Sequence, residues 1–142
     1  MILGGIIISF LSASAYDFEV DGFYYETNLS NMTATIVAGD IPYSGDIIIP
    51  ETVVYKERTF SIVSINGAFN NCGALTSVVI PDCISSLGSN AFSGCGSLYE
   101  ILGMKGITEI GNYCFNGCSS LTTINLPINL RSIGSYAFAN CI

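Results

Sequence analysis

Apolar and polar positions repeat with a long period through the second half of the chain. A cysteine recurs in steps of 23 residues, and a phenylalanine stands three positions before each one. The cysteines are Cys72, Cys95, Cys118 and Cys141, and the phenylalanines are Phe69, Phe92, Phe115 and Phe138. A fixed period of this length is the signature of a solenoid built from stacked units.

Each unit contains two apolar segments that predict extended structure. The first segments are LTSVVI, LYEILG and LTTINL, beginning at Leu75, Leu98 and Leu121. Their alternating apolar positions predict strands with inward side chains, which Pro81 and Pro127 would end. The middle unit has Gly103-Met104 there instead, so its last inward residue and its strand end stay open.

The second segments are ISSLG, ITEIG and LRSIG, which begin at Ile84, Ile107 and Leu130. They predict short strands closed by glycine turns, because glycine readily adopts positive φ. The A-F-x-x-C stretch that follows predicts one turn of α-helix or 3₁₀-helix.

The stretch IPDCISSLGSNAFSGCGSL and its two following copies resemble the BspA-type leucine-rich repeats of bacterial surface proteins. The likeness extends upstream through YSGDIIIPETVVYKERTFSIVSINGAFNNC. It implies a mainly β fold: a leucine-rich-repeat solenoid of 23-residue units with short helical or 3₁₀ turns, preceded by a β-rich N-terminal cap. The motif is specific for the fold and much less so for function.

Four segments are predicted along the chain. Residues 1–15 are a predicted signal peptide, 16–46 an acidic β-rich cap, 47–74 an irregular opening repeat, and 75–142 three leucine-rich repeats with the last incomplete. The apolar run at 2–11 is too short to span a bilayer, and Ala13-Ser14-Ala15 fits a cleavage site. A buried strand is the alternative for this run. We therefore expect a secreted or cell-surface protein without a transmembrane segment, and the resemblance implies a bacterial one.

The charge pattern excludes some classes of partner. The net charge is −7, and the chain has four basic residues and 11% charged residues in all. A nucleic-acid or anionic-membrane partner needs a basic patch, which this composition does not supply. The acidic residues concentrate before residue 60.

The cysteine column has two structural interpretations. Equivalent positions in a solenoid stack at about 4.8 Å, which suits a ladder of small buried thiols. Disulfides are the alternative in an exported chain, although parallel side chains leave the Cβ atoms slightly too far apart. A metal site is not expected, since Cys114 and Cys118 form a single pair and the chain has no histidine.

The same lack of histidine removes Ser/His/Asp and Cys/His catalysis. Glu100 and Glu109 fall on different predicted strands and have no sequence reason to converge. We expect no enzyme activity and no cofactor.

Binding is expected on the outward positions of the first strands, with Tyr99 at their edge. These candidates are Ser77, Val79, Tyr99, Glu100, Leu102, Thr123 and Asn125. Tyr99 has the side chain most typical of a binding hot spot. The resulting hypothesis is a non-catalytic binding module with a protein or glycan partner, and the resemblance implies adhesion or host interaction. A structural spacer in a larger envelope protein is the alternative, and an uncapped C-terminal coil would also allow self-association.

Overall fold

The computed structural model describes residues 16–142, so the predicted signal peptide at 1–15 lies outside the described part. Within residues 16–142, eleven strands form two sheets. The larger sheet has eight strands in the order β1-β2-β3-β6-β8-β10-β11, with β5 paired to β6, and the smaller has three in the order β4-β7-β9. The mainly β prediction is confirmed.

The N-terminal strands are an antiparallel meander of β1 (Phe18–Val20), β2 (Phe23–Asn28) and β3 (Thr33–Val37). The β1–β2 turn passes through Asp21 and Gly22, both with positive φ, as a tight hairpin requires. Strand β3 then pairs in parallel with β6. The acidic N-terminal segment is therefore continuous with the larger sheet.

The opening repeat contains β4 (Gly45–Ile48), β5 (Thr52–Tyr55) and β6 (Arg58–Asn66). Strands β5 and β6 pair antiparallel and turn at Lys56 and Glu57, whose φ values are 48° and 61°. Two consecutive positive φ angles match the twist of a two-residue hairpin.

Short parallel strands form the rest of the solenoid. They are β7 (Leu75–Ile80), β8 (Ser86–Leu87), β9 (Glu100–Gly103), β10 (Glu109–Ile110) and β11 (Ser132–Ile133). Leu87 pairs with Ile110, and Ile110 with Ile133, which is the 23-residue period expressed as strand register. The second segment of each unit is thus a short strand, as the pattern predicts.

The prediction for LTTINL is wrong, because residues 121–128 form no strand. A strand at LTTINL would have to pair with β9, which has four residues and ends at Gly103, where φ is 91°. The backbone of residues 122–126 makes no hydrogen bond to β9, so the parallel pairing that defines a strand is absent there.

The helical turn predicted for A-F-x-x-C is also wrong, since residues 16–142 contain no helix. Alternate N–H groups close local turns: Ser93 N–H donates to Asn90 O at 3.3 Å, and Cys95 N–H to Phe92 O at 3.2 Å. The N–H groups that alternate with these donate to the next coil: Phe92 N–H to Cys114 O at 2.8 Å, and Gly94 N–H to Asn116 O at 2.7 Å. A helix needs every N–H for its own turn, so coil-to-coil bonding prevents it.

The open question in the middle unit is resolved by Met104. Strand β9 ends at Gly103, and the Met104 side chain turns into the core with 1% exposure. Its backbone keeps the repeat register, because Ile107 N–H donates to Met104 O as Ile84 N–H does to Pro81 O. Met104 therefore supplies the apolar side chain that Gly103 lacks.

Candidate binding face

The smaller sheet carries most of the residues predicted to bind. Its parallel register places residues from β4, β7 and β9 side by side in rows across the outer face. Asp46, Ser77 and Glu100 form one row, and Ile48, Val79 and Leu102 form the next. Neighbouring positions in a row lie about 4.8 Å apart, so each row acts as a continuous strip.

The second row is apolar and open to solvent. Ile48 is 75% exposed and Leu102 49% exposed, with the half-buried Val79 between them. Three aliphatic side chains in register on an outer face are a contiguous patch, which differs from single scattered apolar residues. We call Ile48, Val79 and Leu102 the apolar row.

The neighbouring row is polar and internally hydrogen-bonded. Ser77 Oγ donates to Asp46 Oδ1 at 2.7 Å, and Thr76 Oγ1 donates to the same oxygen at 2.8 Å. These bonds, led by that from Ser77, lower the pKa of the Asp46 carboxyl below its usual range. Asp46 is therefore a fixed negative charge at neutral pH, and Ser77 is already engaged with it.

Tyr99 lies at the edge of this face, immediately before β9. Its ring is 54% exposed, and its N–H donates to Thr76 O at 3.0 Å, which anchors its backbone to β7. A large ring on a fixed backbone can make contact at little entropic cost. Glu100 is exposed in the adjoining polar row.

Thr123 and Asn125 are exposed but do not extend the sheet. They lie in segment 121–128, which forms no strand. Of the three first strands predicted for this face, β7 and β9 are present and the third is not. Their side chains have no strand register to align them with Glu100 and Leu102.

Asp46 and Ile48 were missed by the sequence reasoning. The signal for them is the motif GDIIIP, in which Pro50 corresponds to Pro81 of SVVIP. Counting back from the two prolines places Asp46 on Ser77 and Ile48 on Val79, which is the observed register. Aligning on cysteine hid this match, because the β5–β6 hairpin lies between Pro50 and Cys72.

The cysteine column lies inside the solenoid, and all six cysteines are free thiols. Each later thiol donates to a phenylalanine carbonyl of the preceding coil: Cys95 to Phe69 at 2.9 Å, and Cys118 to Phe92 at 3.1 Å. Cys141 makes the same bond to Phe115 O at 3.1 Å, whereas Cys72 Sγ lies 4.0 Å from Asn70 O. The thiol thus links successive coils as well as filling space.

Burial also makes these thiols poor nucleophiles. It raises the pKa of Cys118 to about 12 and raises those of Cys72, Cys95 and Cys114. A thiol is reactive as its thiolate, and a raised pKa keeps it protonated at neutral pH. The buried thiols have the properties of core packing; Cys141 is partly buried, and Cys83, which lies outside the column, is exposed.

The phenylalanines beside the thiols stack face to face. Ring centroids are 4.9 Å apart for Phe69–Phe92, 5.3 Å for Phe92–Phe115 and 5.3 Å for Phe115–Phe138, with interplanar angles of 12° or less. Phe138 is only partly buried. This stack runs along the solenoid, and its ring spacing is close to the about 4.8 Å that separates neighbouring strands of the smaller sheet.

Residues 16–142 contain neither a metal-binding cluster nor a membrane-spanning helix. No group of three or more His, Cys, Asp or Glu side chains in this part of the chain could hold a metal ion. Nor does any helix there have the length and apolar character needed to cross a membrane.

Residues 47–142, more than half of the chain, match the family described as BspA type leucine rich repeat region. A leucine-rich repeat protein from Bacteroides ovatus is 32% identical in sequence and superposes with a TM-score of 0.81. The match covers 88% of this chain and 33% of the B. ovatus protein. A leucine rich cell surface protein from Faecalibacterium prausnitzii is 26% identical and superposes with a TM-score of 0.71. That match covers 87% of this chain and 40% of the F. prausnitzii protein.

A leucine rich repeat protein from T. pallidum has the same fold, with a TM-score of 0.64, 24% identity, and coverage of 84% of this chain and 64% of its own. No curated protein matches the sequence. The chain spans well under half the length of the B. ovatus and F. prausnitzii proteins.

Proposed function

Since the chain belongs to the BspA-type leucine-rich repeat family, we propose that it is a non-catalytic module acting outside a bacterial cell, where it binds a protein or glycan. The proposal rests chiefly on one observation, the solvent-exposed apolar row flanked by Tyr99. An aromatic ring beside aliphatic side chains, with a polar row at the margin, is the composition of a small interface core. The cell-surface location of the F. prausnitzii relative supports the proposed site of action.

The test is a double substitution on the β9 side of the face, Tyr99→Ala with Leu102→Ala. Both side chains are about half exposed, so the fold should survive their removal. Binding of the full chain to immobilised collagen, laminin and mucin glycans is measured by surface plasmon resonance. We expect the strongest interaction to weaken at least about tenfold, since hot-spot truncations cost about 2 kcal/mol or more.

The matched control removes one tyrosine and one aliphatic side chain of similar exposure elsewhere, Tyr136→Ala with Val54→Ala. Tyr136 is 66% exposed and Val54 60% exposed, and neither belongs to the smaller sheet. The control should bind as the unmodified chain does. Equal binding by both double variants would refute the proposed face and favour the alternative of a structural spacer, which needs no such surface.

A further inference from the structure

A groove of about 530 Å³ lies at the N-terminal end of the smaller sheet. The β1–β2 hairpin forms one wall, including Glu19, Asp21 and Phe23. Strand β4 and the segment before it form the other wall, including Asp46 and Ile48. A cleft of this size takes a short peptide or a comparable ligand.

The groove runs along an unpaired strand edge. Strand β4 pairs with β7, and within residues 16–142 it has no strand on its other side. No β7 residue lines the groove, which places the groove on the unpaired side. Ile49 N–H donates to Val79 O at 3.0 Å, so by alternation the N–H and C=O of Ile48 face away from β7.

The groove walls are acidic. Glu19, Asp21 and Asp46 all line it, and none of its lining residues is basic. Asp46 stays ionised because Ser77 and Thr76 donate to it. Phe23 and Ile48 supply apolar contacts between these charges. An extended chain presents side chains to alternate sides, so basic and apolar residues in alternation complement such walls.

We propose that this groove binds an extended basic peptide, which adds to β4 as a fourth strand of the smaller sheet. Main-chain hydrogen bonds to the open edge would supply affinity, and the acidic walls would select for lysine or arginine. The four residues of β4 span about 13 Å at about 3.3 Å per residue, enough to pair a segment of four or five residues. The groove shares Ile48 with the apolar row, but it is tested on β4 and the β1–β2 hairpin, whereas the proposed function is tested on Tyr99 and Leu102, so either can fail without the other.

The experiment measures binding of fluorescein-labelled peptides to the full chain by fluorescence polarisation. The probe is a hexapeptide of alternating lysine and valine, compared with alternating glutamate and valine, and with a lysine–valine peptide N-methylated at every backbone amide, which blocks both strand edges. Only the first should bind, because the second has the wrong charge and the third lacks the pairing donors. Its affinity should fall at least about fivefold between about 0.1 M and 1 M salt, as the Debye length shortens.

Two pairs of variants separate the contributions. Ile48→Pro removes the N–H that faces the groove, and Ile48→Thr keeps it with a β-branched side chain. We expect the proline variant to bind at least about fivefold more weakly than the threonine variant. Glu19→Gln with Asp21→Asn removes two charges, and asparagine tolerates the positive φ of Asp21. This pair should weaken binding about tenfold.

Binding of the N-methylated peptide as tight as that of the parent would overturn strand addition, and this arm needs no protein variant to fold. Equal binding of the glutamate peptide, or no binding of the lysine peptide at about 1 mM, would also overturn the proposal. Loss of lysine-peptide binding in the Ile48→Pro variant but not in the Tyr99/Leu102 pair would support a peptide site on the open edge of β4.

Discussion

The phenylalanine stack offers the most direct test of how the coils are held together. Phe92 is fully buried and its two faces contact Phe69 and Phe115, with centroids 4.9 Å and 5.3 Å away. Phe138 occupies the same repeat position, but it is partly exposed and stacks on Phe115 alone. Substituting each by alanine removes the same atoms from two different environments.

The expected costs follow from burial. Truncating a buried phenylalanine to alanine costs about 3–5 kcal/mol of unfolding free energy. Because Phe92→Ala also loses two ring contacts, we expect it to cost about 4 kcal/mol. Phe138→Ala removes a side chain that still touches water and has one ring partner, so we expect about 2 kcal/mol or less. Urea unfolding followed by far-UV circular dichroism gives both values.

The comparison of the two variants decides the result. If Phe138→Ala costs as much unfolding free energy as Phe92→Ala, then the shared position in the repeat determines the cost, and stacking and burial do not. A cost below about 1 kcal/mol for Phe92→Ala would refute the stack as a main source of stability.

Two further predictions concern alkaline pH and backbone geometry. Burial raises the pKa of Cys95, Cys114 and Cys118 in the folded chain, so the unfolded chain loses these protons first. The contribution of these thiols to the free energy of unfolding should therefore be fully present below about pH 8.5 and should fall above it by up to about 1.4 kcal/mol per pH unit for each thiol. Urea unfolding between about pH 7.5 and pH 10 measures this change. A free energy of unfolding that does not change over this range would contradict the prediction. Gly103→Ala should cost more than about 2 kcal/mol, because Gly103 has φ 91° and an added Cβ would overlap the Ile80 carbonyl oxygen. In the control Gly73→Ala, the added Cβ meets open space and should lower the melting temperature by only a few degrees. Thermal unfolding of both variants is measured, and equal shifts in melting temperature would refute the predicted strain at Gly103.

The candidate site was only partly predictable. Tyr99, Glu100 and Leu102 follow from the outward positions of a strand, and each is exposed as expected. Asp46 and Ile48 share their rows, yet the inserted hairpin broke the cysteine alignment that would have revealed them. The groove was beyond the sequence altogether, because its two walls come from segments that meet only when the meander folds against β4.

The sequence by itself determined the period, the second short strands and the residues that face inwards, because each depends on a repeated local pattern. Tertiary structure decided three other features. Coil-to-coil hydrogen bonds kept the A-F-x-x-C stretch in non-helical turns, since alternate N–H groups of the predicted helical turn donate to the next coil. LTTINL forms no strand although its pattern matches LTSVVI, since its backbone is not hydrogen-bonded to β9. Parallel register then placed Ile48 beside Val79, which made an exposed apolar row from residues that are 31 positions apart in the chain. These outcomes depend on which backbone groups find partners in neighbouring coils, and a pattern along one coil does not contain that information.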